Sequence, residues 1–333
     1  MIVSIGIIAL NEADYLPNLL KDILYQSFPS YQIDLLLIDS LSSDNTKSIM
    51  EMFRNTNLDK FHNVRIFDNF GKWQANGWNV FIDNVCGDIL IRVDAHSHIP
   101  SDFVSKLVDR IETGHYDVMG GKRPTILKDN TTWSKILLEA ENALFGSGFA
   151  VFRTSEKPRF VKSVFHGAYR KEIFEKVGKF NENLRRTEDN EIHWRIRNNG
   201  YKIWYDPSIV SFQYARPTFF KMLKQKYLNG FWIGKTIWTC PFCFSLYHFV
   251  PLAFVLSLLC FTFLSYWTVI PLLILVCLYG LFDLINMSIS VIKNKNPLML
   301  VLFFIFPMLH ITYGIGTLFG ILTFSTNTKN NSY

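Results

Sequence analysis

Between Phe249 and Phe324 the chain carries only three formal charges, Asp283, Lys293 and Lys295, whereas residues 1–248 are charged throughout. Three apolar runs fill that stretch: Phe249–Trp267, Val269–Ile292 and Leu298–Leu322. Each reaches the roughly 20 helical residues needed to cross a hydrocarbon core. No polar loop separates the first two, so a tight hairpin is expected near Ser265–Pro271. The 30 Phe and 49% hydrophobic content of the chain are therefore read as a soluble domain followed by a membrane domain. The division predicted is a catalytic domain over 1–215, a basic and aromatic membrane-interface segment over 216–247, about three spans over 248–324, and a polar tail over 325–333.

Lys and Arg placement sets the expected orientation. Residues 216–235 (RPTFFKMLKQKYLNGFWIGK) precede the first span, and Lys293 and Lys295 lie between the second and third. Both on the cytoplasmic side give an in–out–in–out path in the plasma membrane, with the soluble domain cytoplasmic. The strand-like start MIVSIGIIAL shows no cleavable signal pattern, in agreement. The net charge of +6 belongs with that basic aromatic stretch, which suits an anionic lipid surface; no basic face elsewhere speaks for nucleic acid. Cys240-Pro-Phe-Cys243 has no second pair to complete a zinc site, and reads as small apolar residues at an interface.

The soluble part alternates strand and helix signals. Ile2–Leu10, Ile33–Asp39, Val64–Phe67, Asp88–Asp94 and Tyr116–Gly120 read as strands. Glu12–Gln26, Asp44–Arg54, Gln74–Val85 and Ser101–Glu112 read as amphipathic helices. Such a pattern predicts an α/β fold, a mostly parallel sheet covered on both faces. Further on, a helix is expected over Thr131–Phe145, an ordered loop over Arg153–Val164 and a strand over Val164–Arg170. A short helix follows over Lys171–Val177, then one capped by Thr187 over Glu188–Asn199, and strands near Lys202–Tyr205 and Ile209–Tyr214.

Two strands end on aspartates, Asp39 and Asp94, and open parallel sheets bind ligands beyond the carboxyl ends of their strands. No glycine-rich dinucleotide or P-loop motif is present. In an extended chain Asp94, His96 and His98 would share one face. A catalytic zinc would need a further ligand at a defined spacing, and His115, His166 and His193 form no such pair. A hard cation such as magnesium or manganese needs only one or two carboxylates when substrate phosphates supply the rest. His98 reads as a polar loop residue.

These motifs, in their order and spacing, resemble the inverting family 2 glycosyltransferases of GT-A fold over residues 2–235, and most of all the membrane-bound succinoglycan-type glucosyltransferases. Ala9-Leu10-Asn11-Glu12 is similar to the family's nucleotide-contacting first loop. Ile38–Thr46 resembles its Asp-Asp-Gly-Ser-x-Asp-x-Thr segment, with Asp39 at the base and Ser40 in place of the second Asp. Asn69-Phe70-Gly71-Lys72 resembles the stretch reaching base and phosphates. Asp94-Ala95-His96 stands where the family has Asp-x-Asp. Thr187-Glu188-Asp189 matches its Glu-Asp pair, and His166-Gly167 falls in the acceptor-side segment. Gln225 and Trp232 are placed like the Gln-x-x-Arg-Trp segment of processive synthases but lack its Arg-Trp spacing.

The resemblance implies donor contacts from Ala9, Leu10, Asn11, Glu12, Asp39, Lys72, Asp94 and Ala95. It implies a divalent metal, manganese or magnesium, on Asp94 and His96, and acceptor-side roles for His166, Gly167, Glu188, Gln225 and Trp232. Asp189 would be the general base of an in-line displacement that moves one sugar, UDP-hexose being the expected donor, to a polyprenyl-linked or other membrane saccharide for exopolysaccharide or cell-surface glycan. A processive synthase, a transferase onto polyprenyl phosphate and a non-catalytic membrane scaffold are the alternatives.

Overall fold

The structure is a computed structural model and describes residues 1–143, 155–215 and 218–324. The expected polar tail 325–333, residues 216–217, the end of the helix expected to Phe145 and the start of the loop expected from Arg153 lie outside the described residues.

In chain order, β1 (Val3–Ala9), α1 (Leu16–Leu24), β2 (Ile33–Asp39), α2 (Thr46–Asn57), β3 (Asn63–Asp68), α3 (Gln74–Asn84) and β4 (Ile89–Asp94) alternate strictly. β5 (Ser97–His98), α4 (Phe103–Gly114), β6 (Val118–Lys122), β7 (Thr125–Ile126) and α5 (Thr132–Asn142) follow. Next come β8 (Arg159–Phe160), β9 (Gly167–Arg170), α6 (Lys171–Val177), α7 (Glu188–Asn198), β10 (Ile203–Val210) and β11 (Phe212–Tyr214). Four helices carry the remainder: α8 (Phe219–Thr236), α9 (Val250–Leu264), α10 (Ile270–Asn294) and α11 (Leu302–Phe324). The chain forms two compact units, Met1–Ile126 with Val151–Tyr214, and Leu127–Ala150 with Ala215–Tyr333.

The first unit is built on an eight-stranded sheet of order β3-β2-β1-β4-β9-β6-β10-β8, beside a small sheet of order β5-β11-β7. β1 pairs in parallel with β2 and β4, β2 with β3, and β6 with β10. β2 (IDLLLID) is buried along its whole length because helices cover both faces. Strand alternation sends Ile5, Leu35, Ile91 and Val93 into one apolar layer, with Leu16, Leu19 and Ile23 of α1. Leu36, Ile38 and Leu90 enter the other, with Trp78 and Phe81 of α3. Each such side chain contributes about 1.5–3 kcal/mol on burial. α3 lies so close to β1 that a Cβ on Gly6 would stand 2.7 Å from the Phe81 ring.

Four expectations are corrected. The strand expected from Val164 begins at Gly167 and runs antiparallel between β4 and β6. The helix expected from Asp44 begins at Thr46, because Asp44 turns its carboxylate back to accept from the Thr46 amide (2.9 Å) and hydroxyl (2.5 Å). Thr187 stands at the start of α7 but makes no side-chain cap. The last strand pair is divided differently: β10 runs on to Val210, and Ser211, donating its amide to the Lys122 carbonyl at 2.9 Å, separates it from β11.

Among the described residues of the second unit three helices are long and apolar enough to cross a membrane: Leu246–Leu264, Ile270–Asn294 and Pro297–Thr323. Residues 265–269 make the short turn between the first two. By contact, residues 127–143 group here: Ile136, Leu137 and Ala140 of α5 pack with Met222, Met287, Leu302 and Phe306. Glu139 of α5 also accepts from Lys293 Nζ at 3.1 and 3.2 Å and from Ser290. α8 and α11 meet backbone to backbone through glycines. A Cβ on Gly230 would stand 2.1 Å from the Tyr313 carbonyl oxygen, one on Gly234 2.2 Å from that of Thr317, and one on Gly320 2.0 Å from that of Phe231. Small residues four apart on both helices permit this approach.

Candidate active site at the carboxyl edge of the sheet

Register brings the acids to one edge. Ile8 stands opposite Asp94, Ala9 opposite Asp39, and Asp39 opposite Asp68. The loops leaving β1, β2 and β3 each contain a non-glycine residue with left-handed backbone: Asn11 (φ 56°), Leu41 (φ 61°) and Lys72 (φ 63°). Such conformations persist only where surrounding contacts over-determine them. Here they do. Asn11 N–H donates to Ser42 Oγ (2.9 Å), Glu12 N–H to Thr46 Oγ1 (2.8 Å) and Ala13 N–H to Asp44 Oδ2 (3.1 Å). Ser43 N–H returns a bond to Asn11 Oδ1 (2.8 Å). The Ser42-Ser43-Asp44-Asn45-Thr46 stretch is thus the buttress of the first loop, a role the sequence reading did not give it.

Asp39 is buried and accepts the Ser42 amide at 3.1 and 3.3 Å. Asn69 ties the second and third loops, donating to Ser40 Oγ and to the Trp73 carbonyl, both at 2.9 Å. Leu10, Asn11 and Lys72 are exposed beside the crevice, whereas Ala9 and Ala95 are buried and offer backbone only.

Asp94, His96 and His98 do not share a face. Residues 95–96 turn, and β5 then pairs with β11 in the small sheet. His98 is not a plain loop residue either: its Nδ1 lies 2.7 Å from Asp22 Oδ2. His96 Nδ1 donates to Glu12 Oε1 (3.1 Å), and its Nε2 lone pair accepts from Gln213 Nε2 (2.9 Å). A carboxylate behind one imidazole nitrogen is the arrangement metal-binding histidines use, but here the Gln213 amide takes the lone pair on the other, so His96 is open to a metal only where that amide turns away.

Asp94 is buried at the end of β4, with Gln74 Nε2 donating to Oδ1 at 3.2 Å and His166 Nε2 3.8 Å from Oδ2. Burial by itself would push this carboxyl up. The nearby His166 imidazole, then Arg92 and His96, outweigh it and hold Asp94 well below the usual carboxylate range. His166 is itself pushed down by burial, so Arg92 is the lasting cation here. His166 also contacts Ser97 Oγ (3.1 Å) and Ser211 Oγ (2.8 Å), which places it beside Asp94, while Gly167 lies buried inside the sheet.

Glu188 and Asp189 open α7, where acids complement the helix dipole. Asp189 is half-buried and accepts the Asn190 amide at 2.8 Å. Glu188 is buried, with Oε1 3.9 Å from Arg92 Nη2. Burial, then the neighbouring Asp189 charge, pushes Glu188 up to about 7; burial raises Asp189 as well, with Arg92 acting against it. Arg92 is the residue the sequence reading missed, since a lone arginine in IRVD looks like a solvated charge. Gln225 and Trp232, seven residues apart on α8, belong to the second unit.

Among the described residues no three His, Cys, Asp or Glu side chains gather as a metal cage. The Asp94 carboxylate suits a cation that takes most of its other positions from phosphate oxygens, and His96 can join it only once Gln213 releases Nε2.

The chain is similar to several known proteins. A "Dolichyl N-acetyl-alpha-D-glucosaminyl phosphate 3-beta-D-2,3-diacetamido-2,3-dideoxy-beta-D-glucuronosyltransferase" of Methanococcus voltae is 27% identical, over 97% of this chain and 99% of its own. The succinoglycan biosynthesis protein ExoA of Rhizobium meliloti (strain 1021) is 27% identical over 62% of this chain and 61% of its own length. Among solved structures, the mannosyltransferase PcManGT from Pyrobaculum calidifontis, in complex with GDP-Man and Mn2+, superposes with a TM-score of 0.61. It is 14% identical, covering 95% of this chain and 86% of that one, and so speaks for the fold. The pattern of glycosyl transferase family 2 matches residues 4–178, more than half of the sequence, and the chain belongs to that family.

Proposed function

We propose that this glycosyltransferase moves one hexose from a nucleoside-diphosphate sugar to a lipid-linked saccharide, with inversion at the anomeric carbon. The observation that carries the reading is the arrangement at one edge: Asp94 at the strand end beside Gln74 and His166 and, across Arg92, the Glu188–Asp189 pair at the start of α7, where burial raises proton affinity. Asp189 accepts the proton of the acceptor hydroxyl as that oxygen attacks the sugar. Glu188 sits behind it. The nucleotide lies over the loops leaving β1, β2 and β3, with Asp39 toward the base and Lys72 toward the phosphates. Asp94 and His96 would hold manganese or magnesium, which when bound neutralises charge on the departing diphosphate. Glu12 fixes the His96 imidazole. Inversion follows from one displacement, and the transition state carries oxocarbenium character as in glycoside hydrolysis.

The lipid-linked acceptor is supported by the three candidate spans and by the dolichyl-linked substrate in the name of the Methanococcus voltae relative. His166, Gln225 and Trp232 are the acceptor-side candidates. The same spans and the Lys placement support a plasma-membrane, multi-pass protein with its catalytic unit cytoplasmic. The test is to incubate membranes containing the protein with labelled UDP-glucose, UDP-galactose, UDP-N-acetylglucosamine or GDP-mannose, with and without manganese, and follow label into extractable lipid. Metal-dependent transfer from one donor is expected. Absence of both transfer and donor hydrolysis from all four overturns the reading.

A further inference from the structure

We propose that Arg92 is a positioning residue of the transfer reaction, one buried guanidinium serving as the shared counter-charge for the end of β4 and the first turn of α7. The inference rests on the reading of Asp189 as the base.

Arg92 and Asp94 lie two apart on one face of β4, so both project toward the layer that holds Trp78 and Tyr169. Arg92 is 4% exposed, with its guanidinium 4.7 Å over the Trp78 ring. Its polar contacts are poor: Nη2 reaches Glu188 Oε1 only at 3.9 Å, and Nε and Nη1 have no hydrogen-bond partner. Glu188 Oε2 and Trp78 Nε1 are likewise unsatisfied. A structural arginine is normally tied down by a fork of hydrogen bonds, as Arg65 is by Asp34 at the opposite end of the sheet, at 2.7 and 2.8 Å. Arg92 has been desolvated without that compensation, and what it faces is the two functional ends of the site.

The titratable groups around it come from three directions: Asp94 on its own strand, His166 and Tyr169 before and on β9, and Glu188, Asp189 and His193 on α7. Tyr169 OH and His193 Nε2 bond to each other at 2.8 Å and stay neutral, His193 being pushed down to about 3 by burial and then by Arg92. The negative charge that remains belongs to Asp94, Glu188 and Asp189. Burial works against ionising the last two, and Arg92 is the nearby cation that works for it. Without Arg92 the base holds its proton to higher pH, and the acid limb of the rate profile moves up; each unit of movement costs about tenfold in rate on that limb.

The experiment compares the pH dependence of kcat/KM for wild type, Arg92→Met and Arg92→Lys in the full chain in detergent, with donor affinity titrated separately. Arg92→Met should shift the acid limb upward while retaining donor binding, and Arg92→Lys should return the limb most of the way. A folded Arg92→Met enzyme whose limb coincides with wild type overturns the proposal. Should Arg92→Met fail to fold, Arg92→Gln, a neutral hydrogen-bonding side chain of similar reach, reads the same shift, and an unmoved limb in that folded variant overturns the proposal. Full activity of Asp189→Asn would instead remove the reading of the base, before Arg92 is considered.

Discussion

The end of β4 and the start of α7 both bury carboxylates against the same arginine, yet they are driven in opposite directions. Asp94 has company: Gln74 donates to one oxygen and His166 stands near the other. It stays an anion. Glu188 has one long contact and an orphaned oxygen, and its neighbour Asp189 adds a second negative charge. That pair binds protons more tightly than exposed acids do. Burial is common to both, so the difference lies in how many donors each carboxylate is given. Environments that push two acids apart assign their roles: the low one holds positive charge, the high one takes a proton.

The largest effect should come from the α7 side. Asp189→Asn is expected to cut turnover about 10²–10⁴-fold, the usual worth of a general base, and to leave donor binding intact, as checked by label transfer beside donor titration. Loss of donor binding in a folded variant would break the contrast between the two ends. On the β4 side, Glu12→Gln removes the carboxylate behind His96. Metal affinity, followed by manganese titration of donor binding, should fall about 10–100-fold, while the acid limb of the rate profile stays put. A smaller and purely thermodynamic test is Glu188→Gln. Because the folded carboxyl titrates near 7 and the unfolded one near 4.5, the folded wild type binds the extra proton between those values. Its stability therefore falls as pH rises through that window. The Tm of the glutamine variant relative to wild type should climb across the same window and be flat below it. Least of all, His98→Ala loses a partly exposed pair with Asp22 and should change stability by about 1 kcal/mol or less, with transfer activity unaltered.

The alternation of β1 to β4 with α1 to α3 was legible because each segment carries its own period, and the spans were legible because their apolar runs need no partner to be seen. Asp39, Asp94 and Asp189 could be picked out by position within motifs. Arg92 could not. Its burial depends on Trp78 and on Tyr169, whose strand β9 inserts antiparallel between β4 and β6, and four residues of strand leave little periodicity to read. The same-face expectation for Asp94, His96 and His98 failed because a turn at 95–96 breaks the strand's alternation. Asp44 and Thr46 read as a helix start, whereas each also accepts an amide of the first loop, stitching two loops together across some 30 residues of chain. The apolar face of α5 was visible, but only tertiary contacts show that it groups with the candidate spans.

The glycine seam between α8 and α11 imposes an order of events during synthesis. Trp238, just past α8, bonds the Ile321 carbonyl 83 residues later. At about 5–20 residues per second, α8 waits several seconds for the helix whose backbone it will touch. During that interval Gly230 and Gly234 have no α11 backbone against them, so the close approach they permit is made only after α11 is complete.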